Sequence, residues 1–338
     1  MQTPNRDLFV TDSTRQQYEV IAPLIDSPKL DQEFTKRNND ANRAKRRYHR
    51  LGQLAIALVA MGAIFTIAEA LILPKIFGNM QLKITAVSMA GIGIILQCYL
   101  ILTKQKQKWL VNRFAAERLR SLKFQAYTLA QTANDEEELQ TLANSFIQKE
   151  LAKLENELNT GIAVLQTFAP DQILDNIPAP AKPKAPALAN MASVAYAELR
   201  VQYQKNFALS EISNFTGRRR IFNSTQDMIY LAAAVFAFLS LGSKLVGPHI
   251  IKIDTGWIDF IAVTLFILGA TEAIMDNALL EEQSQTRFEQ YVRDIDNAAG
   301  NGKQNKPNLY QLVLEMERLC LNELDVFCRA ANRISYRF

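Results

Sequence analysis

Four ionisable side chains stand where such groups are expensive. Glu69, Lys244, Glu272 and Asp276 lie in or at the ends of long apolar stretches. At the centre of a bilayer each would cost roughly 2.5–3.5 kcal/mol, so residues of this kind pair, snorkel or line a polar path. Glu69 and Lys244 are near the outer ends of their stretches, where pairing or snorkelling suffices. Glu272 lies deeper, about 22 Å along its helix from Trp257, and shares a helical face with Asp276 one turn on. Two acids on one face, repeated around an oligomer, form a cation-attracting ring; if the helix leaves the bilayer near Ala270, both acids instead stand in water. Catalytic chemistry is missing by comparison. The chain has no GxxxxGK[ST], HExxH, GxSxG or paired CxxC pattern. Its histidines, His49 and His249, fall in a basic flank and a turn, and Cys98, Cys320 and Cys328 show no metal-ligand spacing. The sequence therefore predicts no catalytic residue, no metal and no cofactor.

The elements that must position those charges are four apolar segments, 51–73, 84–102, 228–246 and 257–275. Each approaches the roughly 20 residues that a helix needs to cross a bilayer. The mean hydropathy of −0.06 hides them, because it averages apolar stretches with strongly polar arms. They form two pairs, and the pairs repeat. Lys45-Arg46-Arg47 precedes the first and Arg218-Arg219-Arg220 the second, 173 positions on. Pro74 and Pro248 close the first segment of each pair, and Arg113-Phe114 and Arg287-Phe288 follow the second, both 174 positions apart.

Charge sets the orientation. Lys36, Arg37, Arg43, Lys45, Arg46, Arg47 and Arg50 precede the first pair; Lys104, Lys106, Lys108, Arg113, Arg118, Arg120 and Lys123 follow it. Excess Lys and Arg stay on the cytoplasmic side, which places both ends of each hairpin, and both termini, in the cytoplasm. The first fifty residues contain no early apolar core, so the first apolar helix itself is expected to direct insertion. The basic collars, including Arg218, Arg219, Arg220 and Arg287, are read as partners of anionic lipid headgroups, at about 1 kcal/mol each, and not of nucleic acid.

Within the apolar helices small residues recur. Ala86, Ala90, Gly91 and Gly93 mark one helix, Ala233 and Ala237 another. Such surfaces allow close helix approach, within a hairpin or between protomers, where lipid provides no hydrophobic drive. Trp109 and Trp257 are expected at the inner and outer interfaces. Asp31 is a plausible N-cap of a helix running unbroken into the first segment, and the second segment is expected to continue through Trp109, Phe114, Leu119 and Leu122. Asn134-Asp135 starts another helix, whose Leu139, Leu142, Phe146, Ile147, Leu151, Leu154 and Leu158 form a seam for a partner helix in the same domain or another chain. Five prolines between 169 and 188 read as a semi-rigid spacer, after which Asn190 opens a long helix and 308–333 closes the chain.

The expectation is an all-α integral membrane protein with two tandem two-helix transmembrane hairpins and long cytoplasmic helical extensions. It divides into a segment 1–30, a first hairpin unit 31–165, a linker 166–189 and a second hairpin unit 190–338.

A long basic helix, two apolar helices with a short outer turn, and a returning helix that opens on an Arg-aromatic pair resemble the SLATT family, bacterial two-helix membrane effectors sometimes labelled DUF4231. The residues that carry this are Arg46-Arg47-Tyr48, Trp109 with Arg113-Phe114, and Ala116-Glu117-Arg118-Leu119-Arg120, with Arg218–Arg220 and Arg287-Phe288 in the second half. The match is one of layout more than of residues, over about 31–130 and 195–300. The resemblance implies a bacterial inner-membrane protein that oligomerises on a cytoplasmic signal and permeabilises the membrane in a defence system. The signal would come through this chain or a separate nucleotide-second-messenger sensor protein. The usual member has one hairpin; this chain has two, and no recognisable sensor domain. Two further readings stay open: a membrane scaffold whose cytoplasmic helices recruit partners, and a small ion channel or transporter. The last is disfavoured by parallel repeats and unbroken membrane helices.

Overall fold

A computed structural model describes residues 5–72, 80–177, 183–246, 255–279, 281–300 and 308–333. They are helical, with no strand among them. Pro74, Pro248 and most of the two interhelical turns lie outside the described residues, as does the centre of the proline-rich stretch.

Two short helices, α1 (Asp12–Gln17) and α2 (Ala22–Ile25), precede α3 (Pro28–Leu71), which is unbroken over 44 residues. The expected N-cap is displaced. Ser27 contributes the first carbonyl, accepting the Asp31 N–H at 2.9 Å, and Pro28 takes the first helical position, where its missing N–H costs nothing. Asp31 thus sits in the first turn, where its charge complements the helix dipole. The second apolar helix, α4 (Met80–Leu102), stops where continuity was expected. Lys104 adopts a left-handed conformation (φ 52°), uncommon outside glycine, and the break starts a new helix, α5 (Gln105–Gln125).

Next, α6 (Glu136–Leu158) begins at a reciprocal cap. Asp135 Oδ1 accepts the Glu138 N–H at 2.8 Å, and Glu138 Oε2 accepts the Asn134 N–H at 2.7 Å, which satisfies otherwise orphaned donors. The short α7 (Val164–Thr167) and α8 (Pro170–Leu174) follow. Around the described part of the proline-rich stretch, Ile173, Leu174, Ile177, Leu188 and Ala189 are buried, so this stretch packs at both ends instead of running free. Asn190 lies inside α9 (Pro186–Tyr196), again because a proline takes the first position. A π-helical turn, Ala197–Gln202, joins α9 to α10 (Tyr203–Val246). The chain ends with α11 (Thr255–Leu279), α12 (Glu281–Ala298) and α13 (Leu309–Arg333).

Compactness does not follow the sequence repeat. One unit gathers Met1–Ala44, Gln107–Asn214 and Gln283–Arg333, the polar arms of both halves. Its core includes Leu30, Leu122 and Ile147, with Phe146 and Leu151 against them. The seam on α6 is used here: α6 packs on α2 and on the 3-10 turn Ala126–Gln131. Likewise α13, whose apolar stripe includes Leu312, Val313, Met316 and Leu324, packs on α8 and α9.

The other unit holds Lys45–Lys106 and Phe215–Glu282, the apolar parts of both halves. Among the described residues three helices, α3, α4 and α11, are long and apolar enough to cross a membrane. The apolar stretch described in α10, Met228–Leu241, is shorter. Ile84, Val87, Ile95, Leu102, Leu231, Phe238 and Phe266 are exposed on these helices. Apolar surface of this extent marks a membrane or partner contact, and here it coincides with helices of membrane-spanning length.

Candidate functional site

In the apolar unit, α3 and α4 meet through the small residues. A Cβ added to Gly62 would stand 2.9 Å from the Ala86 carbonyl oxygen and 3.1 Å from the Ala90 Cβ. One added to Gly93 would stand 2.8 Å from the Ala55 carbonyl oxygen and 2.7 Å from Val59 Cγ2. Ala86, Ala90 and Gly93 thus pack inside the hairpin. Gly91 does not: nothing lies within 4 Å of its would-be Cβ, because it points away from α3. On α10, Ala233 is buried and Ala237 is exposed. Tyr230 covers Gly269, its Cε1 lying 2.8 Å from a Cβ built there, and Ser240 donates to Asp259 Oδ1.

The intramembrane charges divide. Glu69 pairs with Lys83 at 3.0 Å, joining the C-terminal end of α3 to the N-terminal end of α4. Glu272 makes no such contact: its Oε2 is buried and has no hydrogen-bond partner among the described residues. Gln97 Nε2 and Thr264 Oγ1, also on apolar helices, share that condition. The side chains of Lys244, Asp276, Arg218, Arg219 and Arg220 lie outside the described residues. Trp257 is half exposed at the start of α11.

Of the entry collar, Lys45, Arg46, Arg47 and Arg50 are exposed on α3. The exit collar is thinner than its sequence suggests. Arg113 pairs with Glu117 at 2.7 Å, Arg118 approaches Glu157 at 3.7 Å, and Lys123 reaches Asp31 at 3.0 Å while only 2% exposed. Arg287 pairs with Glu323 at 2.9 Å. These side chains fasten the polar unit to itself, whereas Lys104 and Lys108 are exposed. Trp109 is also not interfacial. It is buried edge-on against Phe327, 6.0 Å between ring centroids, because the break at Lys104 begins the polar unit before it. The two repeated phenylalanines are core residues as well, Phe114 against Phe168 and Phe288 against Phe207.

A second constellation in the polar unit could not be assembled by spacing. Arg200, carried on the π-helical turn and 1% exposed, donates from Nε and Nη2 to the two oxygens of Glu317 at 2.8 and 2.9 Å. Tyr196 donates to Glu317 Oε1 at 3.0 Å; burial pushes its phenol well above the usual range, so it keeps the proton it donates. The Arg200 guanidinium lies over the Phe124 ring at 4.8 Å, a favourable cation–π contact. Arg120 donates to Glu117 at 3.1 Å and to Asn5 Oδ1. Burial alone would raise Glu117, but Arg113, Arg120 and Arg200 outweigh it and hold the carboxyl below its usual range.

Between the two arginines lies Asp7, 2% exposed. Its Oδ2 is 3.4 Å from Arg120 Nε and 3.8 Å from Arg200 Nη1, and neither contact is a hydrogen bond. Both carboxylate oxygens and both facing nitrogens are buried without hydrogen-bond partners among the described residues. Burial pushes the Asp7 carboxyl upward, against the pull of both guanidiniums. A signal was present in the sequence, since Arg200 and Glu317 each interrupt the apolar face of a helix. No cluster of His, Cys, Asp and Glu suited to a metal occurs among the described residues. No family model matches the chain, and no curated protein or solved structure matches it.

Proposed function

We propose that the chain is a bacterial membrane effector, resembling the SLATT family in tandem duplication, that oligomerises and permeabilises the inner membrane in a defence system. The two apolar pairs act as hairpins with the polar arms and both termini in the cytoplasm. The observation that carries the reading is Glu272: a carboxylate on an apolar helix of spanning length, with a buried oxygen that no described residue satisfies. A carboxylate in that position needs water or a second protomer, and a ring of such groups is a cation path. The close fit of Gly62 and Gly93 makes each first hairpin a rigid stave, with Gly91 open on its other face.

The scaffold reading is weakened because the apolar stripes of α6 and α13, the obvious recruiting surfaces, are consumed by packing within the polar unit. Induced expression with a membrane-potential dye separates the two. Depolarisation that Glu272→Gln abolishes at equal membrane abundance supports the pore. An unchanged potential at high expression, with cyclic and linear nucleotide messengers supplied, favours the scaffold and overturns the proposal.

A further inference from the structure

We infer that Arg120 and Arg200 form an oxyanion site that Asp7 occupies in cis, so that segment 5–9 is a displaceable plug for a small phosphorylated molecule. The argument begins with incomplete satisfaction. Buried polar groups in folded proteins are nearly always hydrogen-bonded, and an exception calls for an explanation. Here four exceptions converge on one point: Asp7 Oδ1 and Oδ2, Arg120 Nε and Arg200 Nη1. Asp7 therefore holds its place by charge attraction without the hydrogen bonds that such a carboxylate normally makes with arginine. A tetrahedral oxyanion, with more acceptor oxygens and a different reach, could satisfy the two nitrogens that Asp7 leaves orphaned.

The surroundings suit that occupant. Each guanidinium is fixed before any ligand arrives, Arg200 by Glu317 and Phe124, Arg120 by Glu117 and the Phe34 ring 5.2 Å below it. Directly beside Asp7 is a cavity of about 180 Å³, open to solvent, whose lining includes Arg6, Thr14, Gln202, Tyr203 and Asn206. Its one further carboxylate, Glu198, is engaged by the Tyr18 hydroxyl at 2.5 Å. Three lining residues, Glu198, Leu199 and Gln202, lie with Arg200 on the π-helical turn, a distortion that recurs at functional sites.

The plug is held by the buried Leu8 side chain, by Arg120 donating to Asn5 Oδ1, and by three further contacts. The Asn5 N–H donates to the Tyr203 hydroxyl at 2.8 Å, Lys123 donates to the Leu8 carbonyl at 3.0 Å, and Phe9 leans on Phe34 at 6.1 Å. Lys123 also binds Asp31 in the first turn of α3, so release of the segment is felt where that helix begins. This inference concerns the polar unit alone and does not rest on the pore reading.

The test uses the full chain in detergent, with pyrophosphate as probe and chloride at matched ionic strength as control. Asp7→Asn removes the competing charge at nearly unchanged shape. It is expected to bind pyrophosphate at least tenfold more tightly than the wild type, seen as thermal stabilisation, because the competent state is no longer taxed by its own plug. Adding Arg120→Gln to Asp7→Asn is expected to abolish that response; stabilisation that survives places binding elsewhere and overturns the inference. In the wild type, amide exchange over segment 5–9 should rise with pyrophosphate. If Asp7→Asn does not fold, the exchange measurement decides, and no change at saturating pyrophosphate overturns the inference.

Discussion

The Cβ that Gly93 lacks would stand 2.8 Å from the carbonyl oxygen of Ala55, so α3 and α4 touch backbone to backbone. Contact this close is how apolar helices associate where lipid is as apolar as they are.

That contact separates two glycines only two positions apart. Gly93→Ala should destabilise the protein by about 1–3 kcal/mol, since a backbone oxygen must yield. Gly91→Ala has open space and should be neutral or gain about 0.5–1 kcal/mol from helix propensity. Thermal unfolding of both variants in one detergent checks the contrast.

Arg200→Lys keeps the charge but cannot supply the two-point contact with Glu317. Half of a buried carboxylate then loses its donor, and the expected cost is about 3–5 kcal/mol. The measurement is the Tm of the full chain beside the wild type, with a large fall expected.

Glu323 supplies a pH dependence near neutrality. Burial pushes its carboxyl up to about 7, outweighing the attraction of Arg287. Because the folded state binds this proton more tightly than the unfolded chain, the contribution is full below about pH 4.5 and fades as pH rises to about 7. Glu323→Gln should flatten the stability curve over that interval, by an amount on the order of 2–3 kcal/mol. A difference curve between the two proteins that is level from pH 4.5 to 7 would show that Glu323 titrates normally.

What the sequence could reveal was whatever is local and periodic. The apolar helices, the Asp135 cap and the stripe on α6 each depend on residues within a few turns. Ala86 and Gly93 were marked by their spacing, although spacing could not say that they face α3 while Gly91 faces away. The rest is non-local. Arg118, Arg120 and Lys123 read as headgroup cations because a run of basic residues beside an apolar helix looks the same whether or not carboxylates await it. Their partners, Glu157, Asp7 and Asp31, come from other segments. The break after Thr103 was equally hidden, because the left-handed residue is a lysine and not a glycine. Asp7, Arg200 and Glu317 are separated by more than a hundred positions each, and only folding brings them together.

The proposed function depends on the two apolar pairs being hairpins in a bilayer, and single-cysteine labelling in intact cells tests that most directly. In a cysteine-free background, Asn79→Cys and His249→Cys report on the two outer turns, and Asn144→Cys, exposed on α6, reports on the polar unit. With the outer membrane permeabilised, a maleimide that cannot cross the inner membrane should label the first two at once. It should reach Asn144→Cys only after lysis. Labelling of Asn144→Cys before lysis, or protection of either turn until lysis, would contradict the account.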